Sequence, residues 1–139
     1  GGKLVLKGIM DAEDARLAAQ SGADALIVSN HGGRQLDGAP SSIQALPAIA
    51  EAVGQHIEVW MDGGIRSGQD VLKARALGAR GTLIGRSFLY GLGAFGEAGV
   101  RRALEIIQKE LDITMAFCGR TQIDEVDRSV LLPGTYPTP

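Results

Sequence analysis

The chain has 139 residues, of which 45% are hydrophobic and 22% charged, and its formal net charge is −2. This composition is typical of a globular domain, and the absence of a basic excess argues against nucleic-acid binding. The longest apolar runs are too short to cross a bilayer. The single cysteine, Cys118, excludes an internal disulfide and fits a reducing compartment. Because the sequence opens on Gly1-Gly2-Lys3 without a start methionine, we expect an internal fragment of a longer protein.

The first elements of the chain are predicted to be a strand, a helix and a second strand. The apolar run Leu4–Leu6 predicts a short buried strand. Asp11 can cap a helix over Ala12–Gln20, and Gly22 is suited to end it. The next strand is predicted at Ala25–Ser29.

The middle of the chain repeats this order. A helix is predicted at Pro47–Val53, because proline is favoured in a first helical turn. A strand at Glu58–Met61, a cap at Ser67, a helix over Gln69–Leu77 and a strand at Gly81–Ile84 follow.

These elements form an internal repeat. A shift of 56 positions aligns Gly8-Ile9 with Gly64-Ile65 and Gly22-Ala23 with Gly78-Ala79. Strands that alternate with helices predict a parallel sheet with right-handed crossovers. Four such units would form half of an eightfold (β/α)8 barrel, of the TIM type, and the open doubly wound sheet is the alternative. No strand is followed by a Gly-x-Gly-x-x-Gly turn, which argues against that alternative.

The last third of the chain is predicted to be mainly helical. A helix is expected over Glu97–Leu111 and a shorter one over Thr121–Val126. The proline-rich segment Leu132–Pro139 is expected to be extended. We therefore divide the chain into one α/β unit at residues 1–130 and a tail at 131–139. The apolar residues predicted to share one face of the longer helix are Val100, Leu104, Ile107 and Leu111.

The glycine-rich turn after the second predicted strand contains a histidine and an arginine three residues apart, His31 and Arg34. A base beside a guanidinium that can pair with a carboxylate suits proton removal from a small organic acid. His56, by contrast, lies in a loop without such neighbours and is expected to be exposed. Two histidines and one cysteine show no zinc-ligand spacing, so no metal site is predicted.

The third and fourth strand ends predict a phosphate site. Gly63, Gly64 and Gly85 allow backbone N–H groups to approach an anion, and a following helix N-terminus adds positive potential. Arg66 and Arg86 would supply bidentate bonds.

Asp62 has one predicted role, and three further residues have competing interpretations. Asp62 can accept hydrogen bonds from ligand hydroxyls. Lys7 is either a lysine whose stem lies along the strand edge or a fixed cation beside developing negative charge. Cys118 is expected in the core rather than as a nucleophile, and Trp60 in packing rather than cofactor stacking.

The run Ser-Asn-His-Gly-Gly-Arg-Gln-Leu-Asp at residues 29–37 resembles the signature of the FMN-dependent L-2-hydroxy acid dehydrogenase/oxidase family, which includes glycolate oxidase, L-lactate dehydrogenase and mandelate dehydrogenase. The resemblance extends from Leu4 to about Val130. Residues 36–38 and 87–90 are most similar to the bacterial L-lactate dehydrogenase branch. The Asp-Gly-Gly-Ile-Arg motif at 62–66 is less specific, because IMP dehydrogenase-like and glutamate synthase-like barrels have similar turns.

The resemblance implies a fold and a set of roles. The fold would be a TIM barrel, with this chain as its C-terminal half, strands five to eight. His31 would take the hydroxyl proton of the substrate, or its α-proton in the carbanion version, and Arg34 would bind the substrate carboxylate. The residues that would bind FMN are Lys7, Ser29, Asp62, Gly63, Gly64, Arg66, Gly85 and Arg86.

The implied function is oxidation of an L-2-hydroxy acid, lactate-like, to the 2-oxo acid. The alternatives are an IMP dehydrogenase-like barrel, which would need a loop cysteine that Cys118 does not match, and a half-barrel without catalysis. The implied partners are the small acid, the N-terminal half of the barrel and further copies of the protein. The isolated fragment is expected to be inactive. A cytoplasmic location is expected, with peripheral attachment at the inner membrane as the alternative.

Overall fold

In the computed structural model, which describes all 139 residues, four parallel strands lie side by side in chain order. This order has no reversal, so the sheet lacks the switch point of a doubly wound fold and the predicted parallel α/β sheet is confirmed. The elements are β1 (Val5–Ile9), α1 (Ala12–Gln20), β2 (Ala25–Val28), α2 (Ser42–Val53), β3 (Glu58–Met61), α3 (Gly68–Ala76), β4 (Gly81–Thr82) and α4 (Arg86–Phe117), with 3-10 turns at His31–Gly33, Ile123–Glu125 and Arg128–Val130.

Both copies of the sequence repeat fold into a strand, a helix and a second strand, which confirms the repeat. Asp11 caps α1 by accepting from two first-turn N–H groups, and the Ser67 hydroxyl caps α3 by accepting from the Asp70 N–H. Gly22 and Gly78 follow the two helices with φ of 89° and 110°, a conformation that glycine adopts without a Cβ penalty.

The core lies between one face of the sheet and the helices α1, α2 and α3. Alternate residues of β2 and β3 point into it, and burying each large aliphatic side chain contributes about 1.5–3 kcal/mol. On the other face of the sheet, Ile27 and Trp60 are only half-buried and Val5 is exposed. The buried residues of the core are Ala15, Leu26, Val28, Leu46, Ile49, Val53, Val59, Met61, Ile65, Ala74, Leu77 and Ala79.

Helix α2 begins earlier than predicted, at Ser42 rather than Pro47. The Ser41 backbone N–H donates to Gln44 Oε1 at 2.9 Å, which satisfies a group at the start of the helix. Pro47 is buried inside the helix, so the assignment of Pro47 to a first turn is wrong.

Helix α4 is longer than the predicted Glu97–Leu111 and bends at Phe95 and Gly96. Its two arms, residues 86–94 and 97–117, cross where Gly91 lies against Gly99. The backbones are so close there that a Cβ on either glycine would overlap the backbone of the other. The predicted apolar stripe is wrong at Leu104, which is 51% exposed.

Several shorter predictions also need correction. Strand β1 continues past Lys7, with a bulge between Lys7 and Ile9, so Lys7 does not end the strand. β4 is only two residues long. The predicted helix Thr121–Val126 is a single 3-10 turn. The tail is not extended throughout, because Thr135 N donates to Leu132 O in a turn and Tyr136 packs against the core.

The predictions for three single residues agree with the structure. His56 is exposed. Cys118 packs against a small buried cluster formed by α3, α4 and the segment after them. Trp60 lies against Gly81 and donates from Nε1 to Glu58 Oε2 at 2.8 Å. No helix has both the length and the apolar composition that a membrane span requires.

Candidate functional site

A cavity of about 500 Å³ opens at the carboxyl ends of the strands. Its volume is within the range of small-molecule sites. Every predicted site residue except Ser29 lines it, including Lys7, His31 and Arg34. The lining residues that were not predicted are Gly32, Gln35, Ile65, Leu83, Ile84, Ser87 and Leu89.

Lys7 is fixed beside the cavity by two partners. Its Nζ donates to Ser29 Oγ at 2.8 Å and lies 2.9 Å from Asp62 Oδ2. Ser29 is buried, and its Oγ also accepts from the His31 backbone N–H at 3.1 Å. This arrangement favours a fixed cation over a lysine that extends into solvent. The other carboxylate oxygen, Asp62 Oδ1, is buried and has no hydrogen-bond partner in the chain.

The His31 turn has an unusual backbone. His31 has φ of 57°, a left-handed conformation that is uncommon outside glycine and frequent at functional sites. Its imidazole lies against Gly8, where a Cβ would be 2.8 Å from Cε1. Asn30 closes the turn by accepting from the Gly33 N–H at 3.1 Å. The ring position therefore depends on a glycine in β1.

Three residues that position the site were not identified from the sequence: Gly8, Asn30 and Ser42. The buried Ser42 Oγ accepts from the Asn30 N–H at 3.2 Å, and a Cβ on Gly63 would lie 3.0 Å from the same oxygen. Asn30 could have been identified, since asparagine before glycines favours a turn. Gly8 was noted only as part of the repeat and Ser42 had no signal, because their contacts are made only after the chain folds.

The glycine turns at the third and fourth strand ends form a cradle. Gly63 and Gly64 have φ of 86° and 80°. Gly85 precedes α4, whose N-terminus has no side-chain cap, and the backbone N–H groups of Arg86 and Ser87 have no protein acceptor. Uncapped N–H groups at a helix start attract anions.

The N-terminus of α3 differs from that of α4. Asp70 Oδ2 accepts from the N–H groups of Arg66 and Ser67, both at 3.0 Å. Glu110 Oε2 accepts from the Gly68 N–H at 3.0 Å. Carboxylates therefore occupy the start of α3, and the positive potential expected there is available at α4 instead.

The arginines at this edge are not paired with acids. No carboxylate oxygen lies within 4.0 Å of the guanidinium groups of Arg34, Arg66 or Arg86. The Arg86 guanidinium makes one hydrogen bond, from Nη2 to Gly32 O at 3.5 Å. The cavity thus combines three unpaired guanidinium groups with the fixed Lys7 ammonium, an arrangement suited to an anionic ligand.

A comparison with protein-family models decides the affiliation. The model described as FMN-dependent dehydrogenase matches residues 1–133. The chain belongs to this family. Among curated members, an L-lactate dehydrogenase of Caulobacter sp. (strain K31) is 55% identical over 130 residues, which is 94% of this chain and 34% of the relative. An L-lactate dehydrogenase of Pseudomonas putida (strain KT2440) is 52% identical over 131 residues, again 34% of its length.

Solved structures of this FMN-dependent dehydrogenase family agree with the fold. A mandelate oxidase with benzoyl-formic acid superposes with a TM-score of 0.88 at 49% identity, covering 91% of this chain and 38% of that one. A mandelate oxidase variant with a monooxide FMN adduct gives the same TM-score and identity and covers 40% of its chain. The chain thus spans about a third of the length of the curated relatives that it matches.

Proposed function

We propose that this chain forms part of an enzyme that uses FMN to oxidise a small L-2-hydroxy acid, such as lactate, to the 2-oxo acid. The observation that supports it best is the presence of His31 and Arg34 in one cavity with Lys7 and the glycine cradle. A base, a carboxylate partner and an anion site are the groups that this reaction requires.

The residues of the cavity fit FMN. Its phosphate is a dianion, which matches the turn at Gly64, the uncapped N–H groups after Gly85, and the guanidinium groups of Arg66 and Arg86. The buried, unpaired Asp62 Oδ1 needs a donor, and a flavin side-chain hydroxyl would supply one. Gly63 belongs to the same cradle.

The ring end of FMN would lie at Lys7 and Ser29. When bound, FMN supplies the chemistry of accepting two electrons from the substrate. The Lys7 ammonium is held by Ser29 and Asp62, so it offers a fixed positive charge without reorganisation.

His31 and Arg34 act on the substrate itself. Arg34 binds the substrate carboxylate through a bidentate ion pair, which orients the hydroxyl-bearing carbon. A ring nitrogen of His31 accepts the hydroxyl proton, and in the carbanion version the α-proton. His31 has no carboxylate partner within the chain, so a group outside these residues would orient its second nitrogen.

We infer that the chain supplies strands five to eight of a TIM barrel. The sheet face opposite the core supports this, since Ile27 and Trp60 are incompletely covered there and both edge strands are open. Strands one to four would cover that face and complete the cavity. The isolated chain would then be inactive. Self-association and a cytoplasmic location stay predictions.

The IMP dehydrogenase-like alternative is less well supported. That chemistry needs a nucleophilic cysteine beside the bound ligand, and Cys118 lies after α4 and does not line the cavity.

The test uses the full-length protein, purified with its flavin. We expect oxidised-flavin absorbance that L-lactate and related L-2-hydroxy acids bleach under anaerobic conditions. His31→Gln should keep the flavin and slow bleaching by roughly 10²–10⁴-fold, the usual contribution of a general base. His56→Gln, at an exposed histidine, is the matched control. A protein that binds no flavin, or a His31→Gln variant that is reduced at the parent rate, would contradict the proposal.

A further inference from the structure

The start of α3 is attached to α4 by one side chain that lies outside the cavity. Glu110, on the second arm of α4, accepts the Gly68 N–H through Oε2 at 3.0 Å, across 42 residues of sequence. The helices touch here, because a Cβ on Gly68 would overlap the backbone at Leu111. Glu110 is half-buried in this contact.

This contact joins the two elements that would hold the phosphate. Arg66 lies two residues before Gly68, and its backbone N–H is already fixed by Asp70. Arg86 starts α4, whose first arm is fixed to its second arm at the Gly91–Gly99 crossing. Since Glu110 lies on that second arm, its bond to Gly68 links the Arg66 backbone to the helix that begins with Arg86.

A second link connects the same elements nearer the cavity. Ser87 Oγ donates to Ile65 O at 2.9 Å. Together the two bonds fix the Arg66 segment to α4 at two points. The N–H groups of Arg66, Ser67 and Gly68 all donate to carboxylates, so the Arg66 side chain, not this backbone, is available to an anion.

We propose that Glu110 is a positioning residue for the phosphate end of the flavin. It holds the start of α3 against α4 and thereby sets the distance between the Arg66 and Arg86 guanidinium groups. Its negative charge is not required for this role, since an amide oxygen can also accept the Gly68 N–H. The proposal rests on the proposed function, because it requires that FMN binds at this cradle.

The test compares FMN with riboflavin, which lacks the phosphate. Both are titrated into full-length apoprotein, and binding is followed by flavin fluorescence. We expect Glu110→Ala to weaken FMN binding roughly tenfold, as expected when one hydrogen-bonded constraint is lost, and to change riboflavin binding less than about twofold. Glu110→Gln should keep the FMN preference of the parent. Asp112→Ala removes an exposed carboxylate from the same helix and should also leave it unchanged.

Each other outcome overturns the inference. Equal weakening of FMN and riboflavin would show a general structural role, and unchanged FMN binding would show no role. Loss of FMN preference in Glu110→Gln would show that the accepted hydrogen bond is not the cause. Should Glu110→Ala fail to fold, Glu110→Asp, whose carboxylate is one methylene shorter, must show the same selective loss. A parent protein that binds neither flavin would contradict the proposed function itself.

Discussion

The parallel sheet has one edge at which its strands begin and an opposite edge at which they end. These two edges use the same types of charged residue in opposite ways. At the edge where the strands begin, Lys3 Nζ pairs with Asp24 at 2.6 Å, and Arg75 and Arg80 pair with Asp124 at 3.1 and 3.0 Å. At the edge where the strands end, three arginines have no carboxylate within 4.0 Å.

This difference separates charges that join elements from charges that are available to a ligand. Arg75 donates to the carbonyls of Ala79, Ile123 and Asp124, so it attaches the segment after α4 to the end of α3. The guanidinium groups of Arg66 and Arg86 make no bonds to acidic groups. The net charge of −2 does not show this difference, because it is a sum over the whole chain.

The largest expected effect is a loss of turnover when Gly8, at the edge where the strands end, is substituted. Gly8→Ala would place a Cβ 2.8 Å from His31 Cε1, so the imidazole must move. A displacement of this kind costs roughly 10²-fold in turnover. Steady-state oxidation of L-lactate by the full-length protein measures it.

Gly22→Ala is the matched control for this change. Gly22 also has a positive φ, of 89°, but a Cβ there meets no atom within 4 Å. It should lose about 1 kcal/mol of stability from backbone strain and retain turnover. Equal turnover losses in the two variants would assign the effect to strain instead of to the histidine.

Effects of intermediate size are expected when arginines at the two edges are substituted, on FMN binding at one edge and on stability at the other. Arg66→Ala and Arg86→Ala should each weaken FMN binding by about 1.5–3 kcal/mol, the usual contribution of a hydrogen bond to a charged group, and leave unfolding nearly unchanged. Arg75→Ala should do the reverse, lowering the free energy of unfolding by about 1–2 kcal/mol because its carbonyl partners lose their donor.

FMN titration and urea unfolding of the same three variants measure these changes. The comparison of the edges fails if Arg75→Ala weakens FMN binding as much as Arg66→Ala does.

The smallest expected effect is a change with pH in the stability that the Lys3–Asp24 ion pair contributes. The hydrogen bond from Lys3, with a second from the Leu4 N–H, holds the pKa of Asp24 below its ordinary value of 3.8. A depressed pKa means that the ionised carboxylate stabilises the folded state above the unfolded pKa, and that this contribution disappears as pH falls through the folded pKa. The parent should therefore be slightly more stable than Asp24→Asn at about pH 7, and the difference should be smaller at about pH 2.5.

Urea unfolding at both pH values measures this difference. Asp112→Asn, at an exposed carboxylate, is the control for removal of a surface charge. A stability difference for Asp24→Asn that is the same at both pH values would assign the effect to lost packing.

The sequence predicted the elements whose ends depend on local chemistry. Helix α1 has the predicted bounds because Asp11 and Gly22 define its ends within the chain itself. The predicted start of α2 was wrong, because proline favours a first turn only statistically. In the structure, the Ser41–Gln44 bond and the burial of Pro47 place the start of the helix earlier.

Features that depend on tertiary packing were not accessible from the sequence. Periodicity identified the second arm of α4 but placed Leu104 on the packed face, because the contact with α3 is centred nearer Leu111. In the site, the residue types and their strand ends predicted one cavity. The contact of Gly8 with His31 and the bond from Glu110 to Gly68 connect distant segments, and no local pattern indicates either.

The strand order has a consequence for how the chain assembles. Each strand pairs only with the strand next to it in the sequence, so the sheet can grow from β1 to β4 as the chain leaves the ribosome. Loop closure is then limited to one β/α unit at a time, which keeps its entropic cost low. The Glu110–Gly68 and Arg75–Asp124 bonds span 42 and 49 residues and can form only after α4 and the segment beyond it have been synthesised. The cradle proposed for FMN would therefore be the last part of this chain to reach its final geometry.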